Sequence, residues 1–195
     1  SISRNIKALK DYSFKYPRQV DLANEDSIDK FSSEVKNDGV KVDALINNAG
    51  AFLNKPFEKI SKKEFEYIFQ VNVFGLSSIT RKVLPIIDSK GHIVNITSMG
   101  GINGAAKFTG LSAYSSSKGA VNILTELLAE EYKEKGPSFN ALAFGAVQTE
   151  MLEEAFPGLK APISAKEIAD FILDFSLQGQ KYFNGKIIPV SSTTP

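Results

Sequence analysis

The stretch VDALINNAG (42–50) passes from an aliphatic run into two asparagines, an alanine and a glycine. The run reads as a buried strand, and the small polar residues after it read as the point where the chain leaves a sheet. The same pattern recurs along the sequence. GHIVNIT (91–97), SFNALAF (138–144) and GKIIPV (185–190) are apolar almost throughout rather than alternating, as parallel strands covered on both faces are. QV (19–20) reads as the end of one more strand. Helical patterns lie between them: 27–37, with Ile28, Phe31 and Val35 on one stripe; a long apolar span, 62–87, breaking near Pro85; 112–136; and 164–178, opened by Ser164 and Glu167 at capping-box spacing. Strands alternating with helices predict a single α/β domain over 1–195, three layers thick around a parallel sheet.

The composition narrows the function classes. A chain of 195 residues suits one domain with a sizeable core. A formal charge of +1 gives no pointer to nucleic acid or to an anionic membrane, and no apolar stretch has bilayer-spanning length. The sequence has no cysteine, which excludes disulfides and thiolate metal sites and accords with an expected cytoplasmic location. His92, the only histidine, lacks metal-ligand companions and is expected to be structural or solvent-facing.

In a parallel α/β sheet, ligands gather at the carboxyl ends of the strands. The residues there are Asp21, Asn47 to Gly50, Thr97 to Gly101 and Gly145 to Thr149, all polar or glycine-containing stretches. Downstream, YSSSK (114–118) puts Tyr114 and Lys118 on one helix face. A free phenol, with a pKa near ~10, exchanges protons poorly at neutral pH. A neighbouring ammonium and a helix N-terminus both favour phenolate, so the pair has the makings of an acid–base device. The plainer reading is a tyrosine packed on the core beside a solvated lysine. Ser98, at a strand end, is placed to hold a substrate oxygen; alternation sends Thr97 to the other face. Asn72 lies in an apolar helix, where its amide requires partners.

Taken together, NNAG (47–50), VNVFG (71–75), IVNITS (93–98), YSSSK (114–118) and FGAVQTEM (144–151) resemble the short-chain dehydrogenase/reductase family, in its motif order and over about Asp21 to Val190. The resemblance implies a Rossmann-like fold and an oxidoreductase moving a hydride between a nicotinamide cofactor and a carbonyl or alcohol. It implies Tyr114 as acid–base, Lys118 tuning it and gripping the ribose, Ser98 on the substrate oxygen, and Asn72 in a proton relay. For the cofactor it implies Asp21 and the Leu22 backbone at the adenine, Asn48, Ala49 and Gly50 along its path, and Val147 and Thr149 at the carboxamide. Ser3 and Arg4, with no acid nearby, favour NADP(H) over NAD, because arginine pairs with a 2′-phosphate. Met151, Leu152, Phe156 and Leu159 suggest an apolar lid over the substrate, and the two long helices suggest a homodimer or homotetramer. No metal is implied.

Three features depart from the family pattern. The usual Pro-Gly is Phe144-Gly145, and the stretch between Ser98 and Tyr114 is longer than usual. The phosphate loop T-G-x-x-x-G-x-G occurs nowhere in these residues. The expectation is that the first strand–helix unit and most of the second strand, about 30 residues, belong upstream in the native protein. Two other readings remain: a non-catalytic binding or scaffold relative, and an isomerase or dehydratase using the same tyrosine and lysine.

Overall fold

A computed structural model describes residues 1–11 and 16–192. Four strands, β3 (Val42–Asn47), β4 (Ile87–Ser98), β5 (Ser138–Phe144) and β6 (Lys186–Val190), form a parallel sheet in that order. Two short strands, β1 (Ile2–Ser3) and β2 (Arg18–Gln19), form a separate parallel pair. Among the described residues no strand bridges the two sheets, so β1 and β3 each pair along one edge only. The expected Rossmann-like layering is present, with its sheet in two pieces.

Alternation along the central strands distributes the core. Val94 and Ile96 of β4 join Leu142 and Phe144 of β5 on one face, covered by Ile168, Ile172 and Phe175 of α7 (Ala165–Gln178). Ile93 and Phe139 point the other way, against Leu128, Ala129 and Tyr132 at the end of α5 (Ser112–Glu131). A third cluster, with Ile28, Ile68, Val71 and Ile79 fully or nearly buried, ties Val20 and Leu22 after β2 to the helices beside the larger sheet. Those helices are α2 (Glu25–Asn37), α3 (Lys62–Phe69) and α4 (Leu76–Val83); the short α1 (Ile6–Asp11) lies between β1 and β2. At Gly75 an added Cβ would run into the carbonyl of Leu22, so a side chain there would push the β2 end off the helix.

The span expected as one helix over 62–87, breaking near Pro85, is four pieces. Between α3 and α4 the backbone widens into a π-helical turn, Gln70–Gly75, and Pro85 lies in a 3-10 turn after α4. A π turn leaves the apolar pattern of a sequence intact while rotating the turns beyond it, which is why periodicity alone does not reveal it. Both predicted caps of α7 form: Ser164 accepts from the Glu167 amide, and the Glu167 carboxylate accepts from the Ser164 amide. No helix of the described residues is long and apolar enough to cross a membrane.

His92 is within β4 and fully buried, so of the two expected roles it takes the structural one. Its Nδ1 lies 3.2 Å from the Ser176 carbonyl, which only accepts, so Nδ1 carries the proton. Nε2 therefore accepts from the Asn140 amide at 2.8 Å. Burial holds this imidazole below its usual pKa, and the ring serves as a neutral staple between β4, β5 and α7.

Candidate active site

β4 and α5 meet at the carboxyl end of the larger sheet, and four of the expected residues converge there. Ser98 ends β4; its Oγ accepts from the Gly100 amide at 3.2 Å, and its hydroxyl is near enough to the Tyr114 phenol to favour the phenolate. Thr97, one residue earlier, is buried, and its hydroxyl has no hydrogen-bond partner among the described residues. Tyr114 lies in the first turn of α5, and Lys118 is one turn further on, its Nζ 5.7 Å from the Tyr114 ring centroid. The lysine is almost wholly buried, and its amine donates to the Ile96 carbonyl at 2.8 Å.

Burial controls both pKa values. It pushes the phenol up to about 12, with the Ser98 hydroxyl acting in the opposite direction. It pulls the lysine amine down to about 8. The sequence predicts a phenol lowered by its lysine; the sign is reversed because desolvation of the phenolate outweighs its neighbours. The Phe52 ring, 4.9 Å from that of Tyr114, is part of the wall that removes water.

Asn72 reaches this cluster from the π-helical turn. Its Oδ1 accepts from the Ala51 amide at 2.7 Å, and its Nδ2 donates to the Ala51 carbonyl and to Ser117 Oγ, each at 2.9 Å. This amide therefore clamps the NNAG turn to the π turn and to α5, satisfying the requirement for partners. Gly50 completes the cluster: a Cβ there would come 3.3 Å from Asn72 Oδ1 and 3.6 Å from Lys118 Nζ. Below them Asn47 donates to Asn95 at 2.8 Å and to Thr80 at 3.0 Å, and Asn95 donates to Thr125 at 2.9 Å.

The family model described as short chain dehydrogenase matches residues 2–160. The chain belongs to the short-chain dehydrogenase family. It is 37% identical over 138 residues to the L-2,3-butanediol dehydrogenase of Corynebacterium glutamicum, covering 69% of this chain and 52% of that protein. It is 31% identical over 185 residues to a 3-oxoacyl acyl-carrier-protein reductase of Aquifex aeolicus, covering 89% of this chain and 73% of that one. A solved 4-hydroxyisoleucine dehydrogenase mutant, complexed with NADH and succinate, superposes with a TM-score of 0.87 at 25% identity, over 99% of this chain and 86% of that chain. The chain spans about half the length of some curated relatives it matches, 52% for the butanediol dehydrogenase.

The remaining sites expected in this short-chain dehydrogenase chain lie apart from the cluster. Arg4, just past β1, is exposed and donates to the Tyr67 hydroxyl at 2.9 Å. Asp21 braces its own turn, accepting from the Ala23 amide at 2.9 Å, and Leu22 is buried against Gly75. Asn48 and Ala49 are exposed beside Gly50. Val147 packs toward the α7 face, and the Thr149 hydroxyl accepts from the Leu152 amide, capping α6 (Glu150–Ala155). A nicotinamide cofactor fits the cluster on one observation: Gly50 keeps a side chain out of the space beside a buried, largely cationic amine. Sequence reasoning missed Phe52 and Ser117. The aromatic so soon after a strand-end turn was the available signal for the first; the second lies inside YSSSK, where nothing local separates it from its neighbouring serines.

Proposed function

We propose that the protein is an oxidoreductase that interconverts a carbonyl compound and its alcohol with NADP(H). The observation that carries this reading is a phenol beside a strand-end serine, with a buried amine one helical turn away, 5.7 Å from the phenol ring. When bound, the nicotinamide supplies or accepts the hydride. Ser98 and Tyr114 share one small region, so both hydroxyls reach a single substrate oxygen. In reduction Tyr114 gives its proton to that oxygen as negative charge develops there. A phenol near 12 keeps its proton until the oxygen becomes basic. The Lys118 ammonium then stabilises the phenolate left behind; with its pKa near 8, it can return a proton to the phenol close to neutrality. Asn72 holds the NNAG backbone and α5 in place for this exchange, and one Oδ1 lone pair is left for a relay water.

The cofactor preference rests on the β1 end. Ser3 and Arg4 bring a guanidinium and no carboxylate to that position, which suits a 2′-phosphate better than ribose hydroxyls. The protein is also proposed to assemble through its long helices. Phe74, Ile123 and Leu127 are 58%, 59% and 61% exposed, and a second copy is the occupant that would cover them. Fluorescence titration of the native full-length protein with NADPH and NADH tests the cofactor, NADPH binding more tightly. A screen for NADPH consumption across ketones and aldehydes tests the reaction, and light scattering tests the assembly. Absence of cofactor binding would point to the scaffold reading, and turnover without net NADPH consumption to an isomerase or dehydratase.

A further inference from the structure

Residues 149–160 leave the body and return to it at one place. The Gln148 amide donates to the Ile163 carbonyl, and the Ala161 amide donates to the Gln148 side chain, each at 2.9 Å. The intervening flap, which contains α6, meets Asn54 and Phe52, and the Gln148 side chain donates to its Glu153 at 3.3 Å. Asn54 Nδ2 donates to the Ala155 carbonyl at 3.1 Å, and the Phe156 ring stands edge-on to Phe52 with centroids 6.5 Å apart. Phe52 in turn lies 4.9 Å from Tyr114. Three rings thus run in a row from the candidate catalytic phenol to the flap.

Charge on the flap is mainly negative. The flap bears Glu150, Glu153 and Glu154, all exposed, against Lys160 alone. Cations of the adjoining segments are engaged elsewhere: Lys55 with Glu64 at 2.7 Å, and Lys107 with the carbonyls of Ile102 and Ala105 at 2.6 and 2.7 Å.

We propose that Phe52 and Phe156 select the substrate of this site, a compact, uncharged, apolar carbonyl compound or the matching alcohol, and that anionic keto acids and phosphorylated carrier thioesters are turned away. This rests on the oxidoreductase reading above. The two rings offer a surface for hydrocarbon next to the reacting oxygen. The nearby Lys118 amine is already committed to the Ile96 carbonyl, so a carboxylate or phosphate held against the rings loses water without a free cation to pair with, and the flap glutamates repel it on approach.

The test uses the native full-length protein with cofactor. Values of kcat/KM are measured for cyclohexanone, acetophenone, pyruvate and acetoacetyl-CoA, and cyclohexanol binding is measured by calorimetry. Cyclohexanone is expected to exceed both anions by at least about tenfold. Phe156→Ala is expected to raise the acetophenone-to-cyclohexanone ratio by about tenfold, with Phe156→Leu restoring most of the original preference. Replacing Glu150, Glu153 and Glu154 by Gln is expected to narrow the gap between acetoacetyl-CoA and cyclohexanone. A preference for either anion overturns the inference, as does a ratio unmoved by Phe156→Ala while ketones are reduced; in both cases the oxidoreductase reading stands. If no carbonyl is reduced but cyclohexanol binds and Phe156→Ala weakens it, the selective wall holds and the oxidoreductase reading falls. If cyclohexanol neither binds nor forms, the wall is not a substrate site.

Discussion

The β4–α5 wall and the 149–160 flap face each other across the candidate site and are built by opposite means. The wall is fixed from beneath by buried side chains: Asn47 to Asn95, Asn95 to Thr125, Asn72 to Ala51 and Ser117. The flap is stapled at its ends and meets the body at Asn54, Phe52 and the Gln148 side chain, while Met151 and Leu159 remain exposed. Proton transfer needs a few atoms held to within fractions of an ångström, which a fully satisfied polar network provides. Choice among substrates needs a surface that opens and closes, which a sparsely tethered segment provides.

The largest expected effect breaks the comparison on the wall side. Tyr114→Phe removes the proton donor and is expected to lower kcat for carbonyl reduction by about 10²–10⁴-fold, with cofactor binding retained in a fluorescence titration. Retained turnover would remove the wall from the chemistry altogether.

Lys118 gives the next. Reduction is expected to slow above about pH 8 as the amine loses its charge, and Lys118→Met is expected to lose that break along with most of the rate. Stability moves the other way. The folded amine titrates near 8 instead of 10.5, so between these values the unfolded chain binds more protons and stability rises with pH. Urea unfolding of wild type and Lys118→Met at pH 8 and 9.5 should show the rise in wild type only.

Below these is the wall's foundation. Asn95→Ala leaves Asn47 and Thr125 short of a buried partner and is expected to cost about 1–3 kcal/mol in urea unfolding. Smallest is Ser164→Ala, just beyond the flap. Losing the α7 cap is expected to cost about 1 kcal/mol with kcat/KM unchanged, separating helix stability from flap function.

Much of the fold was legible in the sequence. The strand runs 42–46 and 138–144 match β3 and β5 to within a residue; the mostly apolar run suits β5, which is buried on both faces, while β3 leaves Asp43 and Ile46 exposed. Tyr114 with Lys118, and Ser98 over Thr97, came from the helix and strand periods. Legibility ended where a property depended on residues distant in the chain. The π turn at 70–75 hides inside a continuous apolar pattern. The lid residues were recognised as apolar, but that Phe156 meets Phe52 and Phe52 meets Tyr114 is a matter of contact across the fold.

The sequence by itself determined the alternation of strands and helices and the spacing of the reactive pair, each written in periods of two to four residues, while the likeness to a family lay in the order of five motifs along the chain. Tertiary structure alone decided that the phenol is raised rather than lowered, that Asn72 clamps the backbone of Ala51, and that the aromatic row reaches the flap. Solvent exclusion and hydrogen-bond pairing are set by whatever the folded chain brings alongside a group, and no local pattern carries that information.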